Sequence, residues 1–467
     1  MLRKFFLNKS LSIGWFCSGF FSKSGARLGL KPLVLILVLG FFHAEISPPV
    51  FPQSLTNPES QRGLGESHST RGASVDPQSP VGELFFPEIL SGESREAGPL
   101  VPLKSSVSPK WRVIYVEGGP FSDYRDVLEG LAYGLSDQEL IQNVRFPLPE
   151  EIQTSQDLWE HLVSKAESSQ IEFVADGFYS AGWDPEKREQ NQLSILKRIE
   201  TQKDVDLILA FGTWAGEDLV GVIADIPIMV LCVTDPVNAH LSETPLDSGR
   251  DNVHVYVDDG RVERQIKIFH ELFQFSRMGV PMDNTPSGQA SMGLMAILQT
   301  AAELNFQVVT CEDALETPNV SENFKRLVQC LEKLSQESDA IYLTANNGML
   351  LERMGEILGP IIAAKIPSFS QKGYREAQAG VLLSVGEANF GDIGYFESEV
   401  LNSIIHGVKP REIVQMAQSP LVLALNLRMA MEIGWNPPFE VLVAADALYL
   451  GYRGNPLYRE EILGGSE

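Results

Sequence analysis

The sequence predicts an α/β protein of two doubly wound parallel-sheet lobes, preceded by a signal or anchor segment and a disordered linker. Three observations carry this. Strands alternate with helices from Trp111 onward, the alternation starts afresh after Thr234-Asp235-Pro236, and the residues before about 110 have a composition that builds no core.

Residues 1–31 carry Arg3, Lys4, Lys9, Lys23, Arg27 and Lys31 and no acid. The apolar run 32–44 (PLVLILVLGFFHA) follows. It is short for a membrane-spanning helix, and its length suits the apolar region of a signal peptide. Phe42-His43-Ala44 is a poor small-x-small cleavage site, so residues 1–44 read as a signal peptide or as an uncleaved anchor that tethers the chain through 32–44. From Glu45 to about Lys110 the chain is rich in Pro, Ser, Gly and Glu (SPPVFPQSLTNPES, GESHSTRGASVDPQSP). Such a segment cannot bury enough apolar surface to order itself, and it reads as a disordered linker, 45–110.

Order begins at Trp111. The β-rich run 112–116 (RVIYV) ends at Gly118-Gly119-Pro120, and 123–135 shows apolar residues at helical spacing. Strand 171–175, helix 188–202, strand 205–211, helix 213–224 and strand 228–233 repeat the pattern. Such alternation predicts a parallel sheet covered on both faces. A second series comprises strand 253–257, helix 263–275, strand 278–280, helix 288–304, strand 307–310, helix 323–337, strand 340–343 and helix 350–363. Two α/β units in tandem leave a cleft, and open α/β sheets bind ligands outside the carboxyl ends of their strands.

Composition narrows the function. Beyond residue 31 the chain holds 31 bases against 61 acids. A surface that acidic repels phosphate backbones and anionic lipid, which excludes nucleic acid as a partner. The four cysteines, Cys17, Cys232, Cys311 and Cys330, form no CxxC and no dense framework. Cys232 lies in an apolar run and reads as a buried thiol, while a disulfide between Cys311 and Cys330 stays open, since spacing says nothing of Cα separation. There is no GxSxG elbow, Walker loop, HExxH or helix-opening GxGxxG. No histidine pairs with another at metal-ligand spacing; His254 lies in a strand and His406 in an apolar helix, where packing or surface roles are commoner. Neither catalysis nor a metal or cofactor is expected.

The clearest site signal is Phe211-Gly212-Thr213-Trp214-Ala215, which leaves an apolar strand and opens a helix. Unpaired N–H groups at a helix start and the Thr213 hydroxyl suit a carboxylate, and the same hydroxyl equally suits a helix cap. Thr234 and Asp235 end the next strand at the neighbouring rim, or form a turn leading out of the lobe. In the second unit Thr285-Pro286-Ser287-Gly288-Gln289-Ala290-Ser291 opens a helix, and Thr344-Ala345-Asn346-Asn347-Gly348 follows another strand. Asn346-Asn347-Gly348 reads first as a turn.

At these residues the chain resembles the ABC transporter substrate-binding family that includes the tryptophan-binding TrpX-type proteins, which share the type I periplasmic-binding-protein fold. The resemblance runs over 111–452. It rests on VDLILAFGTWAGEDLV, ADIPIMVLCVTDPVNAHL, GQASMGLMAILQTAAELNFQVV, SDAIYLTANNGML, AKIPSFS, AGVLLSVGEANFGDIGYFESEVLNSIIHGVKP and LVLALNLRMAMEIGWNPPFEVLVAAD. It implies a clamp whose chain crosses between lobes three times: lobe 1 from 111–237 plus 379–419, lobe 2 from 238–378 plus 420–455, and a tail 456–467. It further implies that Thr213 and Thr234 hold a ligand carboxylate, that Ser287, Gln289 and Ser291 with Thr344 and Asn346 face it from the opposing wall, and that Pro120 and Phe121 line the first strand end. Two departures touch the pocket wall. Trp214 stands where relatives have a small residue or proline, and Glu387-Ala388-Asn389-Phe390 replaces a tyrosine-rich stretch.

The function this implies is an extracytoplasmic solute receptor of an ABC importer, closing over a small ligand such as an amino acid, with a permease and its ATPase as partners. The alternative is a membrane-tethered ligand-sensing or partner-docking module of the same fold without a transport role.

Overall fold

The computed structural model describes residues 109–387, 389–416, 421–451 and 457–458, of which Glu387 and the last two by backbone only. The expected leader, the linker as far as residue 108 and nearly all of the tail lie outside the described residues.

In the first lobe, β1 (Trp111–Glu117) leads through α1 (Ser122–Asp137) and α2 (Ser155–Lys165) to β2 (Ile171–Ser180). Then follow α3 (Pro185–Thr201), β3 (Leu207–Phe211), α4 (Gly212–Leu219), β4 (Ile228–Leu231) and β5 (Val253–Val255). The sheet is entirely parallel, in the order β2-β1-β3-β4-β5. All five residues of β3 are buried, because helices cover both faces of the sheet and neither side chain set meets water. α2 is absent from the sequence-based pattern. Its start is a capping box, in which Thr154 Oγ1 accepts from the Asp157 amide (3.1 Å) and Asp157 Oδ2 from the Thr154 amide (2.9 Å). α4 stops at Leu219, short of the expected residue 224.

In the second lobe α5 (Arg261–Phe273) leads to β6 (Arg277–Asp283), α6 (Pro286–Met292), α7 (Leu294–Leu304), β7 (Gln307–Asp313), α8 (Val320–Glu337) and β8 (Ala340–Leu343). α9 (Met354–Ala364), β9 (Ser368–Ser370), α10 (Tyr374–Ala379) and β10 (Leu383–Glu387) follow. The single helix expected over 288–304 is two, because Gly293 adopts φ +68° and ends α6. Cys311 of β7 and Cys330 on α8 form a disulfide, with Cα atoms 5.6 Å apart.

α11 (Phe390–Ile405) then returns to the first lobe, where Ile393, Val400, Leu401 and Ile404 join the core formed by Val127, Leu128 and Leu131 of α1. His254 of β5 and Glu397 of α11, both fully buried, lie 3.2 Å apart and pin this helix to the sheet. His406, at the end of α11, is instead exposed. The chain re-enters the second lobe at β11 (Leu421–Asn426), followed by α12 (Leu427–Ile433), α13 (Phe439–Ala444), β12 (Ala447–Tyr449) and β13 (Leu457–Tyr458). The second sheet runs β13-β12-β11-β10-β9-β8-β6-β7.

Two details depart from the expected layout. β5 pairs with β4, so the first crossing comes after Val257 rather than at 237; β10 pairs with β9 and β11, so only the stretch from α11 to residue 416 returns to lobe 1. The second sheet is also not wholly parallel. β10 and β11 are antiparallel, because the chain leaves for the first lobe at one end of β10 and comes back from that same end. Among the described residues no helix is long and apolar enough to cross a membrane.

Candidate functional site

A cleft opens where the carboxyl ends of β1, β3 and β4 meet α6, the turn after β7 and the turn after β9. It is lined by Phe121, Tyr124, Trp183, Thr213, Trp214 and Thr234 from the first lobe and by Arg261, Ser291, Glu316, Gln371 and Lys372 from the second, among others. Its enclosed volume is about 90 Å³. Since one water needs roughly 10–15 Å³ on this measure, the space suits a ligand of several heavy atoms.

β3 turns into α4 without an intervening loop. Gly212 makes this turn at φ +83°, and a Cβ there would lie 1.9 Å from Tyr124 Oη. Thr213 therefore sits in the first turn of α4 with its hydroxyl free of capping: the helix has no side-chain cap. Its Oγ1 hydrogen-bonds Ser291 Oγ of α6 at 3.1 Å, across the two lobes. Ser291 already donates to the Ser287 carbonyl (2.9 Å), and a hydroxyl has one hydrogen, so Thr213 supplies the proton of this bond. Ser287 Oγ makes a second crossing, donating to Glu217 Oε2 at 2.6 Å.

Behind these bonds stands an aromatic and charged wall. Trp183 and Trp214 meet edge to face at 5.5 Å, and the Arg188 guanidinium lies 4.6 Å over the Trp214 ring. Arg188 also donates to Glu217 Oε2 (2.8 Å) and Asp218 Oδ1 (2.7 Å). Burial pushes the Asp218 carboxyl up, with Arg188 opposing. The Trp183 indole is held by the Pro120 carbonyl, 3.3 Å from its Nε1. The Trp214 Nε1, by contrast, is buried and donates to none of the described residues.

At the other end, Lys372 Nζ lies 3.4 Å from Asp123 Oδ1 and 4.0 Å over the Phe121 ring, so a second-lobe cation is seated on first-lobe groups. Arg375, next to it, pairs with Asp126. Arg261 donates to Thr234 Oγ1 (3.4 Å) and pairs with Asp258 (3.9 Å). Gln371 is fully engaged, donating to the Met292 carbonyl (2.7 Å) and accepting from the Ala345 amide (2.9 Å). The Cys232 thiol faces the cleft, and burial pushes it well up.

Of the residues singled out in the sequence, Phe121, Thr213, Trp214, Thr234 and Ser291 line the cleft together, and Ser287, one turn before Ser291 on α6, reaches Glu217 of the first lobe instead. The others are elsewhere, each for a local reason. Pro120 contributes only its carbonyl, to Trp183. Gly212 lies beneath the Tyr124 hydroxyl. Asp235 accepts from both nitrogens of Asn238 and closes a turn. Gln289 is on α6 outside the lining set, and Thr344 is wholly buried, donating to the Pro281 carbonyl (2.7 Å). Asn346 spans its own turn, from Thr344 to Gly348, as the turn reading had it. Glu387 ends β10, and its side chain lies outside what the structure describes.

Trp183, Arg261, Glu316 and Lys372 were missed. A signal existed for three: Gln371-Lys372 directly follows the SFS strand, Trp183 follows β2 and Glu316 follows β7, so the strand-end rule applied to every strand would have flagged them.

A family model described as ABC transporter substrate binding protein matches residues 180–448. No curated protein matches the chain significantly. Among solved structures, a conserved domain protein from Vibrio cholerae is similar over 73% of this chain and 100% of its own, with 18% identity and a TM-score of 0.55. The ABC domain from Streptococcus pneumoniae in complex with L-Trp is similar over the same shares, with 16% identity and a TM-score of 0.54. These likenesses establish the fold, a two-lobed α/β clamp of the type I periplasmic-binding-protein kind.

Proposed function

The chain belongs to the ABC transporter substrate binding protein family, and from that premise we propose that it is the extracytoplasmic receptor of an ABC importer that closes two lobes over one amino acid or similar small carboxylate. The observation that carries this is the pair of hydroxyl bonds between lobes, Thr213 to Ser291 and Ser287 to Glu217, at the mouth of a cleft made of strand ends. Groups that meet only when the lobes approach are the groups through which a ligand biases closure.

The carboxylate sits at the start of α4, where Thr213 and Trp214 line the cleft and the buried Trp214 Nε1 has no partner among the described residues. Its side chain packs on the rings of Trp183, Trp214 and Phe121. Domain closure then brings Ser291 and Lys372 over it, and the permease with its ATPase reads the closed form. The segment 32–44 delivers the chain across the membrane or tethers it there.

A thermal-shift screen over amino acids tests the reading. A ligand at a hundredfold excess over its Kd stabilises the folded state by about 2.7 kcal/mol. No shift with any amino acid or small carboxylate would remove its support.

A further inference from the structure

One carboxyl in the cleft has no visible purpose in holding the fold. Glu316 lies in the turn after β7; its backbone amide donates to Asp283 Oδ2 (3.1 Å), and that carboxylate is already satisfied by the amides of Leu315 and Thr285 and the Thr285 hydroxyl. The side chain of Glu316 reaches into the cleft, where its Oε2 is buried and accepts no hydrogen bond from the described residues.

The charges around it are lopsided. Asp283 stands behind it on β6, while Glu217 and Arg188 face it from the first lobe. Arg326, from α8, is spent on the Ala314 carbonyl, Asp313 and Glu322. Arg261, which lines the same cleft, is turned to Thr234 and Asp258, and Arg188, the guanidinium that acts on Glu316, is already divided between Glu217, Asp218 and the Trp214 ring. A half-buried carboxyl whose inner oxygen accepts no hydrogen bond from the described residues, with two acidic neighbours and no ion-pair partner among those residues, is a seat for a positive charge brought from outside.

We propose that Glu316 receives the ligand's cationic nitrogen, and that the incoming ammonium displaces a proton from this carboxyl. The inference rests on the amino-acid receptor reading and assigns the ligand's second pole. The balance is simple. Glu316 changes from carboxylic acid to carboxylate, its O–H breaks, the proton goes to solvent, and the ammonium keeps its own three protons.

The carboxyl is pushed up to about 8, first by burial, then by Asp283 and Glu217, with Arg188 opposing. Near neutral pH, without ligand, it therefore holds its proton. The ionised form that pairs with an ammonium becomes more populated as pH rises toward 8, so affinity for an amine climbs about tenfold per pH unit below that point and levels off above it.

The test is isothermal titration of the full chain with L-tryptophan, L-phenylalanine and L-leucine, each beside its deaminated acid: indole-3-propionate, 3-phenylpropionate and 4-methylpentanoate. Titrations run at pH 6, 7 and 8 in two buffers of different ionisation enthalpy. A bound amino acid should release close to one proton at pH 7, and its affinity should rise about tenfold from pH 6 to 7; its deaminated acid should bind more weakly and release none. Glu316→Gln should abolish the proton release and the pH slope and narrow the gap between parent and deaminated acid. The proton count itself needs no variant. Binding without proton release, or a deaminated acid that binds as tightly as its parent, overturns the role of Glu316 and leaves the receptor reading standing. Failure of all six compounds to bind overturns both.

Discussion

The hydroxyls of Thr213 and Ser291 lie 3.1 Å apart and join the helix that opens the first lobe's binding turn to a helix of the second. A ligand carboxylate that takes the Thr213 hydrogen competes with this bond and must replace it, which ties ligand recognition and lobe closure to the same two oxygens.

Thr213→Ala should therefore act on binding before it acts on folding. Losing a hydrogen bond to a charged group costs about 1.5–3 kcal/mol, a weakening of roughly one to two decades. The helix loses no cap, because α4 has no side-chain cap to lose. Calorimetric titration beside a denaturant curve separates the two effects; unchanged affinity with lowered stability would make this residue purely structural.

The neighbouring Gly212→Ala should act the other way. The left-handed turn costs a Cβ-bearing residue about 1–2 kcal/mol, and the Tyr124 hydroxyl occupies the place of the new carbon. The unfolding midpoint should fall, and adding Tyr124→Phe should recover part of the loss. Full stability in the single variant would contradict this packing.

Trp183 and Trp214 line the cleft in mutual contact, so ligand closure should change tryptophan emission. L-phenylalanine, which does not emit in that range, is a suitable probe if it binds. Trp214→Ala removes one aromatic partner worth about 0.5–1.5 kcal/mol and should weaken binding roughly two- to tenfold. If the emission change persists in a Trp183→Phe, Trp214→Phe double variant, the signal arises elsewhere.

Acid should unfold the first lobe partly through Asp204. Its carboxyl is held below the usual range, chiefly by the Arg198 hydrogen bonds (2.8 and 3.0 Å), and Arg198 is 6% exposed. A depressed carboxyl contributes stability that is present above its unfolded value, about 3.9, and is lost as pH falls through the lower folded value. Asp204→Asn should thus cost about 1 kcal/mol at pH 7, discounted for the partial exposure of Asp204. The gap from the parent should close below roughly pH 3. A gap that stays constant with pH would show that the ion pair is not its source.

Much of the fold was legible because burial follows local periodicity. The fully apolar LILAF run and the amphipathic pattern of residues 323–337 announce a doubly covered strand and a surface helix without reference to anything distant. The same locality explains why Thr213, Trp214 and Ser291 were singled out: the first two stand where a strand becomes a helix, and Ser291 lies in the short helix that the Thr285-Pro286 start signal opens. The crossings implied by the family resemblance were misplaced, however. The strand at 253–257 has the same appearance whichever sheet it joins, and only its pairing with β4 assigns it to the first lobe.

Sequence by itself thus determined the strand–helix alternation, the two lobes and the turn on which a ligand is expected, because these follow from short-range burial and backbone chemistry. Tertiary structure alone decided which turns share a cleft. Trp183, Glu316 and Lys372 come from three loops far apart in the chain, and they meet because the strand orders and the three crossings bring them together. Their side-chain environments, the indole wall beside Arg188 and the half-buried carboxyl of Glu316 beside Asp283 and Glu217, depend on Coulomb and solvation effects between residues that no local pattern relates.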